Sequence, residues 1–406
     1  MTAARPGSIH PRQPVPATLA AGSSTPPCRV YDVALLDLDG VVYVGPHAVP
    51  GVPEALMAAR AAGMRLGFVT NNAARPPAEV ARHLREIGVP AEAADVITSS
   101  QAAATVVAEL LGPGAAVLAV GGPGVATALT AAGLTVVERA EDRPAAVVQG
   151  YGRDVGWSHL AEAVVAVRNG ARHVATNVDA TVPSPRGPLP GNGAMVGVVA
   201  AVTGQAPLVT GKPDPAMHAE CVRRTGARRP LVVGDRLDTD IEGARRAGAA
   251  SLVVLSGVTD AATLLAARPD HRPDLLAADA SGLLHPHPPV ISDGRTWRCG
   301  GWSARVAEGE DVLVLEAGDG NTVLADGDAG PADGDGDAAD GDGDAADRDG
   351  DAADRDGDGL DGLRALCAAH WSRHPDRAAP VQVVAAGARA QAAVTRWALT
   401  GARPVA

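Results

Sequence analysis

The chain of 406 residues nearly lacks lysine: Lys212 is the single one among 35 basic residues, and all the others are arginine. Aromatics are scarce too, at 2% of the sequence, and Phe68 is the lone phenylalanine. A core must therefore be built from small aliphatics, and the length suggests two or three domains. No apolar run reaches the roughly 20 residues that span a bilayer, so no membrane partner is expected. The first 28 residues are rich in Pro, Ala, Ser and Thr, without a basic start followed by an apolar stretch. That lacks the pattern of a secretory signal, and residues 1–29 are expected to form a disordered leader. Four cysteines (Cys28, Cys221, Cys299, Cys367) form no CxxC pair. This argues against a zinc site or a disulfide framework and fits a reducing, cytoplasmic setting.

The net charge of −12 is concentrated in one place. From Asp319 to Asp361 there are sixteen Asp and two Arg, a net −14, which leaves the rest of the chain at +2. No basic surface for nucleic acid is expected. Within that stretch a seven-residue repeat reads DGDGDAA, DGDGDAA, DRDGDAA, DRDGDG. Such sequence cannot bury a core, so disorder is expected over about 318–359.

Between these stretches short apolar runs alternate with helical spacing. VYDVALLDLDG, MRLGFVTNN and DVITSS read as buried strands, with helices in PGVPEALMAARAAG and RPPAEVARHLREIG. After residue 204 the pattern resumes with APLVTGK, PLVVGD and SLVVLSG as strands and PAMHAECVRRTG and IEGARRAG as helices. Strand–helix alternation predicts an α/β fold with a Rossmann-like parallel sheet. Residues 30–100 and 205–290 are assigned to this core. Residues 101–204 keep the alternation as a separate inserted α/β unit. Residues 291–406, which hold four of the five Trp, are expected to be a small α+β module interrupted by the repeat.

A lone ammonium in an arginine-rich chain suggests a site that needs a compact charge, although a surface lysine retained by chance is the plainer alternative. Lys212 sits in VTGKPDP, at a predicted strand end. Three further loops follow predicted strands: DLDGVVY (Asp37 to Tyr43), TNN (Thr70 to Asn72) and GDRLDTD (Gly234 to Asp240). In an open parallel sheet, ligands bind at the carboxyl ends of the strands. Several acids, hydroxyl and amide donors and one ammonium are the inventory for handling a phosphoryl group with a hard divalent cation. A phosphate dianion approaching a carboxylate costs about 4 kcal/mol per unit charge pair at about 4 Å and an effective dielectric near 20. A cation and an ammonium reverse that sign. The plainer reading, that these acids only cap loops and helices, fits any one loop taken alone.

Taken together, FVTNNAARPPAEV, GKPDP and VVGDRLDTDIEGARRAG resemble the haloacid dehalogenase superfamily. The likeness is to the NagD-like branch of phosphoglycolate, nitrophenyl and pyridoxal phosphatases, and runs from about Val30 to Val258. The resemblance implies a Mg²⁺-dependent phosphatase of small phosphate monoesters. Asp37 would be the nucleophile and Asp39 the general acid and base, with the Asp39 backbone carbonyl on the metal. Thr70 and Asn71 would hold the transferring phosphoryl group, and Lys212 would neutralise charge between it and Asp37. Asp235 would ligate Mg²⁺, with Asp240 in or just behind the ligand set. The insert at 101–204 would be the family's α/β cap. Its loop from Asn177 to Ala194 would face the substrate, with Asn177, Asp179 and Arg186 reading the leaving group, unless the loop merely shapes the cap.

The tail after residue 290 is similar to that of actinobacterial glycerol-3-phosphate phosphatases, acetyltransferase-like in outline. It lacks a cofactor loop of that kind and is expected to be structural or regulatory. Glycerol 3-phosphate is therefore the leading substrate, ahead of 2-phosphoglycolate and a broad nitrophenyl or pyridoxal range; a homo-oligomer is left open. A phosphomutase is disfavoured because PGVPEAL follows the first loop with no room for a small helical cap. A non-catalytic phosphometabolite-binding protein would lose the acid or a metal ligand, and here both remain.

Weaker signals do not change this. VGGPG (Val120 to Gly124) lacks GxGxxG spacing and reads as a strand–helix turn. Asp354, Asp356, Asp358 and Gly359 fit D-x-D-x-D-G, but Ala365 stands where a calcium loop needs Glu. His285 and His287 have no acidic or Cys companions nearby, so no metal role is expected for them.

Overall fold

A computed structural model describes residues 19–182, 184, 186–307, 312–318 and 359–399. The acidic repeat and residues 1–18 lie outside them. Six parallel strands form the core sheet, in the order Leu275–Ala277, Ala250–Val254, Pro230–Gly234, Val33–Leu36, Arg65–Thr70, Val96–Thr98. The inner strands are almost wholly buried, as expected of a parallel sheet covered on both faces. Phe68, Leu36, Leu56, Met64 and Leu84 fill one face; Val33, Leu35, Ile97, Met217 and Cys221 fill the other. Burying each such side chain contributes roughly 1.5–3 kcal/mol.

Local chemistry sets the helices. Thr98 caps Ser99–Leu111 through a reciprocal pair with Gln101. Asp214 accepts from the Ala216 N–H at the start of Pro215–Thr225, where Pro215 occupies the first turn and Gly226 closes the end with positive φ.

A second parallel sheet has the order Leu208–Val209, Arg172–Ala175, Ala146–Gln149, Ala116–Val120, Thr135–Val137. Its first strand corrects the sequence reading, which gave APLVTGK to the core. Leu208 pairs with Val174 and Val209 with Ala175, so the chain leaves the inserted sheet only at Thr210. A two-residue strand carries too little pattern to reveal which sheet it joins.

Residues 291–399 add an antiparallel sheet, Ile291–Ser292, Thr296–Cys299, Trp302–Val306 and Val312–Ala317, to which Gln382–Ala386 adds a parallel strand. The helix Asp361–Arg373 is buried almost throughout, between that sheet and the core. One apolar cluster joins Leu363, Leu366 and Trp371 to Leu237, Ile241, Leu264 and Leu276 of the core. The leader reading also fails from Leu19 onward. Leu19 is buried in the same cluster, Ser23 exchanges backbone hydrogen bonds with His287, and Pro27–Val30 is a short helix. His287 is itself buried beside the Leu276 and Gly282 carbonyls, a structural setting. Among the described residues no helix is long and apolar enough to cross a membrane.

Candidate active site

The strand Val33–Leu36 lies between Pro230–Gly234 and Arg65–Thr70, so their carboxyl ends are neighbours. Adjacent strands are about 4.8 Å apart. Asp37 directly follows the first, Asp235 the second, and Thr70 ends the third. The sheet order thus gathers three loops that are far apart in the chain. Lys212 reaches the same place after the chain leaves the inserted sheet.

Its ammonium donates to Asp37 Oδ1 and to Asp240 Oδ1, each at 2.7 Å. The Lys212 side chain is 10% exposed, Asp37 14% and Asp240 1%. Burial disfavours the charged lysine, but Asp240 and Asp37 outweigh it and raise its pKa. Burial raises Asp240 as well, against the pull of Lys212. The two tendencies oppose each other across one contact; short bonds from the ammonium to both carboxylates decide for the ion pair. Asp240 Oδ2 accepts from the Arg236 N–H at 3.2 Å.

Asp235 lies under the same rim. Its Oδ2 accepts from the Val258 N–H at 2.7 Å, while Oδ1 is buried with no hydrogen-bond partner among the described residues. Burial, then the Asp37 charge, pushes it up to about 6. A Cβ on Gly40 or Gly257 would run into this carboxylate, so the close approach needs glycine at both positions. Asp39 reaches solvent, yet protein surrounds it on most sides; that loss of water, with Asp37 second, pushes it up to about 6. Burial raises Tyr43 beside it, and Arg75 lies within electrostatic reach of both Asp39 and Tyr43. Arg75 was not singled out in the sequence, although it stands five residues after Thr70 in the same loop.

Carboxylate oxygens of Asp37, Asp235 and Asp240 lie within 4.8 Å of one another. Three oxygen donors, one of them buried and unpartnered, suit a hard divalent cation. The buried orphan on Asp235 is costly without one.

The remaining predicted residues divide. The Thr70 hydroxyl accepts from the Asn72 N–H at 3.0 Å, which leaves its own proton to donate. The Asn71 side-chain amide holds the Lys212 backbone and Asp179. Asn177 is spent as well: Nδ2 donates to the Asn71 carbonyl at 2.7 Å and Oδ1 accepts from the Asp179 N–H at 3.2 Å. It is 3% exposed and cannot read a leaving group without breaking both. Arg186 is exposed on a turn closed by Ser184, and its guanidinium takes part in none of these contacts. Asp179 does come to the site, within electrostatic reach of Lys212, Asp37 and Arg236. The glycines of Val120 to Gly124 serve packing: the Gly124 N–H donates to the Ala74 carbonyl at 2.8 Å, and a Cβ on Gly122 or Gly124 would strike the backbone of residues 73–75.

The comparisons agree with this geometry. A haloacid dehalogenase-like hydrolase profile matches residues 34–135, and a second HAD-hydrolase-like profile matches residues 209–283. The D-glycerol 3-phosphate phosphatase of Mycobacterium tuberculosis is 42% identical over 374 residues, covering 91% of this chain and 94% of that protein. An acid sugar phosphatase of Staphylococcus aureus is 37% identical over 233 residues, 57% of this chain and 89% of its own length. Among solved structures, glycerol phosphate phosphatase from Mycobacterium tuberculosis in complex with magnesium superposes with a TM-score of 0.75 at 39% identity, covering 94% of this chain and 99% of that one. This chain belongs to the haloacid dehalogenase-like hydrolase family.

Proposed function

We propose that this enzyme is a Mg²⁺-dependent phosphomonoesterase whose preferred substrate is glycerol 3-phosphate, acting through an aspartyl phosphate, an acyl phosphate formed on Asp37. The observation that carries the chemistry is Lys212 between Asp37 and Asp240 at 2.7 Å, beside the partnerless Asp235 oxygen. The substrate assignment is supported by the mycobacterial glycerol phosphatase, which resembles this chain over nearly its whole length, tail included.

In the first step an Asp37 carboxylate oxygen attacks phosphorus, and the bond from phosphorus to the glycerol oxygen breaks. Asp39 in its acid form gives its proton to that leaving oxygen; a carboxyl held near 6 is suited to the task. In the second step Asp39 takes a proton from water as the water oxygen attacks phosphorus. The bond to Asp37 breaks and inorganic phosphate leaves. Lys212 and the Thr70 hydroxyl offset the charge on the phosphoryl oxygens. Asp37, Asp235 and the Asp39 carbonyl would hold Mg²⁺, with Asp240 beside them, and the bound ion would neutralise the charge shared by phosphate and carboxylates. The inserted unit is read as a cap that roofs the site and limits water. Four buried cysteines without a CxxC pair support a reducing, cytoplasmic setting.

The test is a panel of phosphate monoesters with Mg²⁺ and purified protein. A kcat/KM for glycerol 3-phosphate at least about tenfold above 2-phosphoglycolate and p-nitrophenyl phosphate, or about 1.4 kcal/mol in barrier, is expected. Equal turnover of all three removes the substrate assignment, and no turnover of any removes the chemistry.

A further inference from the structure

Asn71 joins three parts of the molecule with one side chain and one carbonyl. Its Oδ1 accepts from the Lys212 N–H at 2.9 Å, and its Nδ2 donates to the Lys212 carbonyl at 3.2 Å. The same Nδ2 donates to Asp179 Oδ2 at 3.2 Å. The Asn71 carbonyl accepts from Asn177 Nδ2 and from Ser99 Oγ, both at 2.7 Å. The segments also touch directly: a Cβ on Gly211 would strike the Thr176 carbonyl and lie 2.8 Å from Asn71 Oδ1.

The network continues into the inserted unit. Asn192 Nδ2 donates to the Asn177 carbonyl at 2.7 Å and to the Gln149 carbonyl at 3.2 Å. Gln149, Asn177 and Asn192 are all buried, where a broken hydrogen bond is expensive because water does not replace it. The Asn177 to Asp179 segment is therefore anchored from behind and meets the core at Asn71.

An amide group is planar, so its oxygen and nitrogen cannot turn independently. Whatever holds Nδ2 toward Asp179 also aims Oδ1 at the Lys212 N–H. We propose that Asn71 is a positioning residue through which docking of the Asn177–Asp179 loop sets the seat of Lys212. The loop supplies one end of the constraint, the lysine backbone takes the other, and neither involves contact with the phosphoryl group. This rests on the reading of Lys212 as the charge-neutralising group. A displacement of the reacting groups by about 1 Å costs on the order of 100-fold in rate, so a loosened seat is visible in turnover.

The test uses Asp179, which bonds Asn71 but makes no hydrogen bond to Lys212 among those described. Asp179→Ala removes the loop's end of the constraint, and Asp179→Asn retains an acceptor oxygen. Amide hydrogen exchange is followed at Thr210, Gly211, Lys212 and Asp214, with steady-state kinetics on p-nitrophenyl phosphate, a substrate without polyol hydroxyls. For Asp179→Ala we expect faster exchange at these amides and a kcat about tenfold lower, with KM little changed. Asp179→Asn should restore most of both, and Asn71→Ala should exceed Asp179→Ala in both. If Asp179→Ala changes KM for glycerol 3-phosphate but leaves exchange at residues 210–214 as it was, Asp179 is a leaving-group contact and the coupling is refuted. Unchanged exchange there in Asn71→Ala refutes it equally. The exchange readout does not depend on turnover, so failure of the phosphatase reading is told apart from failure of this one.

Discussion

Lys212 and Asp240 are 28 residues apart in sequence, and their charged atoms meet at 2.7 Å, the same distance at which the ammonium bonds Asp37. The lysine is thus held by a buried acid while it also bonds Asp37. That arrangement suits a compact charge with rotatable donors better than a planar fork. Lys212→Arg should therefore lower kcat by about 100-fold or more, although the charge is kept. Steady-state kinetics check it; activity within about threefold of the unmodified enzyme would show that charge alone suffices.

The role proposed for Asp37 is one that its amide cannot fill. Asp37→Asn should reduce turnover by on the order of 1000-fold or more. The fold should persist, because Asp37 is tied to the sheet by its backbone N–H to the Val233 carbonyl at 2.8 Å. Circular dichroism and a phosphate-release assay are sufficient.

The partnerless oxygen of Asp235 makes metal binding a stabilising event. Adding Mg²⁺ at about 100 times its dissociation constant should stabilise the native state by about 2.7 kcal/mol, a thermal shift of several degrees. Asp235→Asn keeps an acceptor for the Val258 N–H but removes the charge, so it should lose most of the shift. A shift of equal size in that variant would place the ion elsewhere.

Arg364 ties the C-terminal module to the core. It is 2% exposed, bonds Asp361 Oδ1 at 2.9 Å and reaches the Leu276 carbonyl at 2.5 Å. Arg364→Ala leaves the Asp361 carboxylate buried without this guanidinium and should cost roughly 3–5 kcal/mol in urea denaturation. A loss under about 1 kcal/mol would mean that the module is only loosely attached.

His173 predicts a pH dependence of the inserted unit. Burial holds its imidazole below the ordinary range, and Gln149 Oε1 lies 3.0 Å from its Nε2. The groups acting on it are neutral. The folded state therefore binds the proton more weakly than the unfolded state. Its contribution to stability is complete above the ordinary imidazole pKa of about 6.5 and is lost as pH falls below that value toward the lower, folded one. His173→Gln should flatten the fall in melting temperature between about pH 6.5 and 5; an unchanged slope would assign that fall to other groups.

The four loops of the candidate site were legible because each is a contiguous run placed at a strand end, and strand ends are marked by a switch from apolar to acidic or amide residues. Asp37, Asp39, Thr70, Lys212, Asp235 and Asp240 needed no knowledge of packing to be singled out. The cap residues were not legible in the same way. Asn177, Asp179 and Arg186 stand in one polar loop and look alike in sequence. Yet the first is buried in hydrogen bonds to the core, the second meets Asn71, and the third faces solvent. The order that begins at Leu19 was hidden for a related reason. A Pro- and Ser-rich segment has no pattern of its own, and its burial depends on the distant surface supplied by the C-terminal module.

The sequence by itself singled out which acids and which ammonium gather at the ends of parallel strands. Periodicity and loop composition are local properties that can be read without coordinates. Tertiary structure alone decided that Leu208–Val209 joins the inserted sheet and that the Asn71 amide is turned toward Lys212 and Asp179. Hydrogen-bond partners more than a hundred residues apart are chosen by how buried surfaces fit, and no local pattern records that choice.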